Sequence, residues 1–115
     1  MANSYKILGQ IAPTANTLTN AYSTSSASAV LNTIYICNQD TANANVDIIV
    51  RPTGVALANQ HYILRQQNVM QAETLILNLN ITMNSSTIIA ANVAGRSGET
   101  KTPNCSISIF GVEIT

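Results

Sequence analysis

The sequence predicts an all-β chain: one antiparallel β-sandwich of about eight short strands, jelly-roll or immunoglobulin-like, spanning residues 1–115. Three observations predict it. Residues 72–83 read A-E-T-L-I-L-N-L-N-I-T-M, with Leu75, Leu77, Leu79 and Ile81 on one side of an extended chain. Thr74, Asn78, Asn80 and Thr82 take the other side, with Ile76 the apolar exception. This period of two marks a strand with one face on a core and one near water. The rest of the chain divides into β-branched and aromatic segments punctuated by Gly, Pro, Asn and Ser at intervals of roughly ten residues. No segment carries the apolar spacing of an amphipathic helix. The leucine strand reads as the element the rest of the chain covers.

Taken in order, Tyr5-Lys-Ile-Leu-Gly-Gln-Ile11 begins extended, with Ile7 and Gly9 on one side, Lys6, Leu8 and Gln10 on the other, and Ala12-Pro13-Thr14 closing it. Residues 16–22 form a second strand, with Leu18 and Tyr22 on alternate sides, and 23–28 a small polar loop. Residues 29–37 are rich in β-branched and aromatic side chains. Val30, Ile34 and Ile36 share a side with Asn32, while Leu31, Tyr35 and Cys37 share the other with Thr33, so the strand is read as central. After the turn cluster at 38–43, residues 45–51 place Val46, Ile48 and Val50 inward and Asp47 and Arg51 outward. These two strands are expected to form a hairpin. Arg51-Pro-Thr-Gly54 is a turn, 55–60 a helical turn or a loop, 61–65 a short strand and 66–71 a link to the leucine strand. Asn84-Ser-Ser86 turns into a strand at 87–93, and 94–104 is the longest polar loop. In the last strand Cys105, Ile107 and Ile109 alternate with serines, then Phe110, Val112 and Ile114 take over. A β-bulge at Phe110-Gly111 is expected from that switch.

A chain of 115 residues makes one domain with its own core. Only 9% of residues are Asp, Glu, Lys or Arg, against roughly a quarter in an average soluble protein. The formal net charge is zero, so nothing draws the chain to nucleic acid or an anionic membrane. A surface of Asn, Thr, Ser and Gln resists association weakly, which points to extensive contact with other protein; an ordinary β-domain with an uncharged surface is the alternative. Met1-Ala-Asn-Ser-Tyr-Lys lacks the pattern of a secretory leader, and the expectation is synthesis and assembly in a cytoplasm. On that expectation the sequons at Asn80, Asn84 and Asn104 are accidents of composition. Cys37 and Cys105 are then free thiols, although spacing leaves a bridge open.

No catalytic, cofactor-binding or metal-ligating residue is assigned. His61 is the single histidine, with no cysteine or carboxylate pair near it in sequence, and reads as packed or solvent-facing. Asp40, Asp47, Glu73, Glu99 and Glu113 are dispersed. Asp40 and Asp47 flank the expected hairpin as solvated carboxylates without an acid–base partner. The serines lack a base other than His61. Ala94-Gly-Arg-Ser-Gly-Glu-Thr100 superficially resembles a phosphate loop but lacks the Gly-Lys-Thr ending and following helix. It reads as an exposed loop, with Arg96 or Lys101 able to touch a neighbouring subunit. Tyr5, Tyr22, Tyr35 and Tyr62 serve strand packing or form a sugar-binding platform, the first being the commoner use.

Several motifs, in order, carry a resemblance over nearly the whole chain. They are Tyr5-Lys-Ile-Leu-Gly-Gln10, Ile36-Cys-Asn38, Val50-Arg-Pro-Thr-Gly54, His61-Tyr-Ile63, Leu75-Ile-Leu-Asn-Leu79 and Phe110-Gly-Val-Glu-Ile114. Together they resemble small β-sandwich virion structural proteins of marine tailed bacteriophages, cyanophages among them. The loop at 94–104 is longer than in that family. The resemblance implies a particle component without catalytic residues. The expectation is a virion-located capsid decoration or cement subunit, a homo-oligomer with a trimer favoured. It would bind the major capsid protein or other virion proteins, with no cofactor, nucleic acid or membrane. The segment up to Tyr22 and the loop at 94–104 are the expected contacts. A neck, tail or fibre component for host attachment and a carbohydrate-binding module are the alternatives.

Overall fold

The computed structural model describes residues 3–24, 28–39, 43–95 and 104–114. They form β1 (Asn3–Ile11), β2 (Thr19–Ser23), β3 (Ser28–Asn38), β4 (Ala44–Pro52), β5 (Tyr62–Val69), β6 (Thr74–Asn84), β7 (Thr87–Gly95) and β8 (Cys105–Ile114), with a 3-10 turn at Asn59–His61. Sheet A has the order β1-β8-β3-β6 and sheet B the order β2-β7-β4-β5, every neighbouring pair antiparallel. The chain alternates between sheets from β1 to β4, makes the β4–β5 hairpin inside sheet B, and alternates again to β8. That is the jelly-roll order. The immunoglobulin-like alternative groups its strands differently and is set aside.

The core lies between the sheets. Leu31, Ile34 and Ile36 of β3 and Ile107 and Ile109 of β8 meet Val46 and Ile48 of β4, Val69 of β5 and Ile89 and Val93 of β7, all fully buried. Each such side chain contributes roughly 1.5–3 kcal/mol by leaving water. β3 sits between β8 and β6, the central place its sequence indicates, with Leu31, Ile34 and Ile36 on the core.

Four expectations are corrected. The hairpin of 29–37 with 45–51 does not form: β3 and β4 lie in opposite sheets. Their apolar rows, Leu31, Ile34 and Ile36 against Val46 and Ile48, are buried face to face across the core instead of side by side. The leucine strand, β6, is not the centre of the fold but an edge of sheet A, and Leu75, Leu77, Leu79 and Ile81 are only half-buried. The segment at 66–71 is not all link, since β5 runs on to Val69. Finally, β8 carries no bulge at Phe110-Gly111. Its partners step Ile7 to Gly9 on β1 and Leu31 to Thr33 on β3, so the extra residues are Leu8 and Asn32, one on each neighbour. The bulge at Asn32 puts Leu31 on the same side as Ile34 and Ile36 and Val30 on the outer side with Thr33, Tyr35 and Cys37, exchanging the places that strict alternation gave Leu31 and Val30. The bulge at Leu8 likewise sets Ile7 opposite Phe110 but Gly9 opposite Ile109. Within β8 the alternation is unbroken: Phe110 faces out, and the inner positions that follow are Gly111 and Glu113.

Two glycines allow close approaches. A Cβ at Gly111 would lie 2.2 Å from the Val30 carbonyl oxygen and 2.8 Å from Leu8 Cδ1, and one at Gly9 would lie 2.2 Å from the Ala21 carbonyl oxygen. The first lets β8 pass its bulged neighbours. The second lets β1 of sheet A approach β2 of sheet B.

Candidate functional site

Among the described residues no pocket opens into the sandwich, and no group of three or more His, Cys, Asp or Glu is placed to hold a metal. His61 is buried in the 3-10 turn, where its Nδ1 accepts a hydrogen bond from the Ala58 N–H at 2.9 Å and its own N–H donates to the Ala58 carbonyl at 3.1 Å. It closes a turn. Asp47 accepts from the Gln66 N–H at 2.6 Å, holding β5 where Gln66 takes a positive φ of 53°. Glu73 is exposed. Asp40, Arg96, Glu99 and Lys101, and with them the resemblance to a phosphate loop, lie outside the described residues. Cys37 and Cys105 are not joined by a disulfide. Cys37 pairs with Ser106 and Asn38 with Cys105, so the two thiols are on neighbouring strands but point to opposite faces of sheet A.

The four tyrosines divide. Tyr22 is buried between the sheets and its hydroxyl donates to Glu113 Oε2 at 2.5 Å. Lys6 of β1 forms an ion pair with the other carboxylate oxygen. The Lys6 ammonium and the Tyr22 hydroxyl hold the Glu113 carboxyl below its ordinary pKa, against the opposing effect of burial. This cross-sheet tie at one end of the sandwich is matched at the other by Asn38, whose side-chain amide donates to the Val69 and Met70 carbonyls at 3.1 and 3.2 Å. Tyr62 is half-buried on the outer side of sheet B, packed on Ile49, Ile88 and Ala90, with the Arg65 guanidinium 4.1 Å from its ring centre.

Tyr5 and Tyr35 are different: 77% and 42% exposed, both on the outer face of sheet A. Register brings them into one band. Ile7 stands opposite Phe110, the Phe110 ring meets Tyr35 edge-on at 5.5 Å between centres, and Tyr35 stands opposite Ile76. Ile7 and Ile76 are each half exposed. The apolar diagonal therefore crosses all four strands. Around it lie hydroxyl and amide side chains, some paired across strands, as Gln10 with Ser108 at 3.3 Å and Thr33 with Asn78 at 3.4 Å. The described residues of this face include no Asp, Glu, Lys or Arg, because Lys6 and Glu113 occupy inward positions. Exposed apolar patches of this kind mark contact surfaces.

Sequence reasoning assigned the tyrosines as a set and did not assemble this band. Its signals were present: Ile76 as the exception in an otherwise polar row, and Phe110 breaking the serine alternation. The bulges at Leu8 and Asn32 concealed which residues share the face. Neither residue of the Tyr22–Glu113 pair, 91 positions apart, points to the other in sequence. Compared with protein-family models, curated proteins and solved structures, the chain matches none.

Proposed function

We propose that this chain is a non-enzymatic virion structural protein of a tailed phage, serving as a capsid decoration or cement subunit. The observation that carries the reading is the uncharged outer face of sheet A with its aromatic and aliphatic band. Four strands of 9 to 11 residues, at ~4.8 Å spacing and ~3.3 Å per residue, give that face roughly 650 Å² in plane. A stable protein interface buries ~800 Å² per partner. Tyr5 and Ile7 belong to the amino-terminal segment that sequence reasoning nominated as a contact. The motif resemblance and the jelly-roll order, an architecture that viral capsid domains use among others, support the reading by analogy. In mechanism, homo-oligomers lie across joints between subunits of the major capsid protein. Burial of the apolar band, with no charge to desolvate, then strengthens the shell against internal pressure.

The test is the copy number in purified particles, measured by quantitative mass spectrometry against the major capsid protein. It is paired with binding of the recombinant chain to undecorated capsids. A ratio near one or a simple fraction of it, with binding lost in Tyr35→Ser and Ile76→Ser, is expected. A handful of copies moves the protein to the neck, tail or fibre. Absence from the particle overturns the reading. The exposure of two tyrosines on one face favours a second reading, a carbohydrate-binding module. Saturable binding of host polysaccharide, abolished by Tyr35→Ala, would establish it.

A further inference from the structure

The edges of the two sheets are not alike. Natural edge strands are blunted by shortness, charge, inward-pointing charge or bulges, because an open row of N–H and C=O groups invites another chain. Three of the four edges here follow that rule. β1 carries the inward Lys6 and the bulge at Leu8. β2 has only five residues. β5 carries Arg65, two register shifts against β4 and the positive φ at Gln66. β6 runs for 11 residues with no charge, proline or glycine. Its register against β3 slips by one residue near Leu79-Asn80, yet its alternation of faces is unbroken. It also leaves Leu75, Leu77, Leu79 and Ile81, which pack against the core, only partly buried at its open side.

The sequence of this edge indicates what covers it. Residues 74–82 read T-L-I-L-N-L-N-I-T, nearly the same forwards and backwards about Asn78. We propose that β6 pairs with β6 of a second copy of this chain, antiparallel across a two-fold axis at Asn78, joining two A sheets into one continuous sheet. In that register Leu77 faces Leu79 of the second copy and Leu75 faces Ile81, so each partly buried aliphatic row completes the burial of the other. Thr74 faces Thr82 and Asn78 faces Asn78 on the outer side. Only Ile76 meets an unlike residue, Asn80. No like charges face each other anywhere along the pair. A two-fold contact is self-complementary by construction, and a near-palindromic strand is the sequence form of that requirement. The inference uses the edge of sheet A rather than its face, and does not depend on the virion reading.

The full chain is tested by analytical ultracentrifugation, with Cys37→Ser as background. A dimer is expected at micromolar concentration. Asn78→Lys sets two ammonium groups against each other on the axis, and should weaken association ~10-fold or more while leaving the circular dichroism spectrum unchanged. Asn78→Cys should form a disulfide-linked dimer on mild oxidation, because directly opposite Cβ atoms lie ~4.5–5.5 Å apart. Ile76→Cys, facing Asn80, should cross-link far more slowly. A monomer or a trimer at these concentrations overturns the proposal. So does a dimer that tolerates Asn78→Lys and gives no Asn78→Cys cross-link.

Discussion

The two sheets bury the same kind of inner face and use their outer faces in opposite ways. On sheet B the outer apolar residues Ile49, Ile88 and Ala90 are buried, Tyr62 packs on them, and Asp47, Arg51 and Arg65 supply charge nearby. On sheet A the outer apolar residues Tyr5, Ile7, Tyr35 and Ile76 remain at least two-fifths exposed, and the described face carries no charge. An apolar side chain outside the core is therefore not one kind of thing. Those on sheet B form a satellite core that stabilises the monomer, whereas those on sheet A contribute little until something covers them.

Substitutions can break that contrast or sharpen it. The largest effect is expected at Gly111, where β8 passes closely between its bulged neighbours β1 and β3. Gly111→Ala drives a Cβ onto the Val30 carbonyl and should cost about 3 kcal/mol or more in urea unfolding, or abolish folding. Next, Ile49→Ala on sheet B should lose ~2–5 kcal/mol, as for a core residue. Tyr22→Phe strips a hydrogen bond from a buried carboxylate and should cost ~1–3 kcal/mol. Ile76→Ala on sheet A should shift monomer stability by no more than ~0.5 kcal/mol. Equal losses at Ile49 and Ile76 would erase the distinction between the faces.

Acid offers an independent check on the cross-sheet tie. The Glu113 carboxyl is held below its ordinary pKa by Lys6 and Tyr22. The folded state therefore binds that proton less readily than the unfolded chain. The stability contributed is present above the unfolded carboxylate range, ~4.3, and is lost as pH falls through the depressed folded value. Thermal unfolding followed from neutral pH downward should show a smaller acid-side decline for Glu113→Gln than for the parent chain. An unchanged slope would mean that the tie does not carry the acid sensitivity.

Strand content was legible because alternation and β-branched enrichment are local. Val46, Ile48 and Val50 face the core and Asp47 and Arg51 face away, as their spacing requires. The central place of β3 was legible for the same reason, from its β-branched and apolar enrichment, although its outer face, with Tyr35, stays open to water. Locality failed where one residue changes everything after it. The bulges at Leu8 and Asn32 invert a period-two reading, and no residue type in either strand announces them. It failed again for β6, whose clean alternation is as compatible with an edge as with a centre. Sequence alone determined that this chain is a charge-poor, all-β sandwich, because side-chain periodicity and composition are properties of short segments. Only the tertiary structure decided which strands share a sheet, which edge is left open and which apolar residues reach the surface together. Those depend on pairings between residues up to 111 positions apart, such as Asn3 with Ile114, where no local pattern acts.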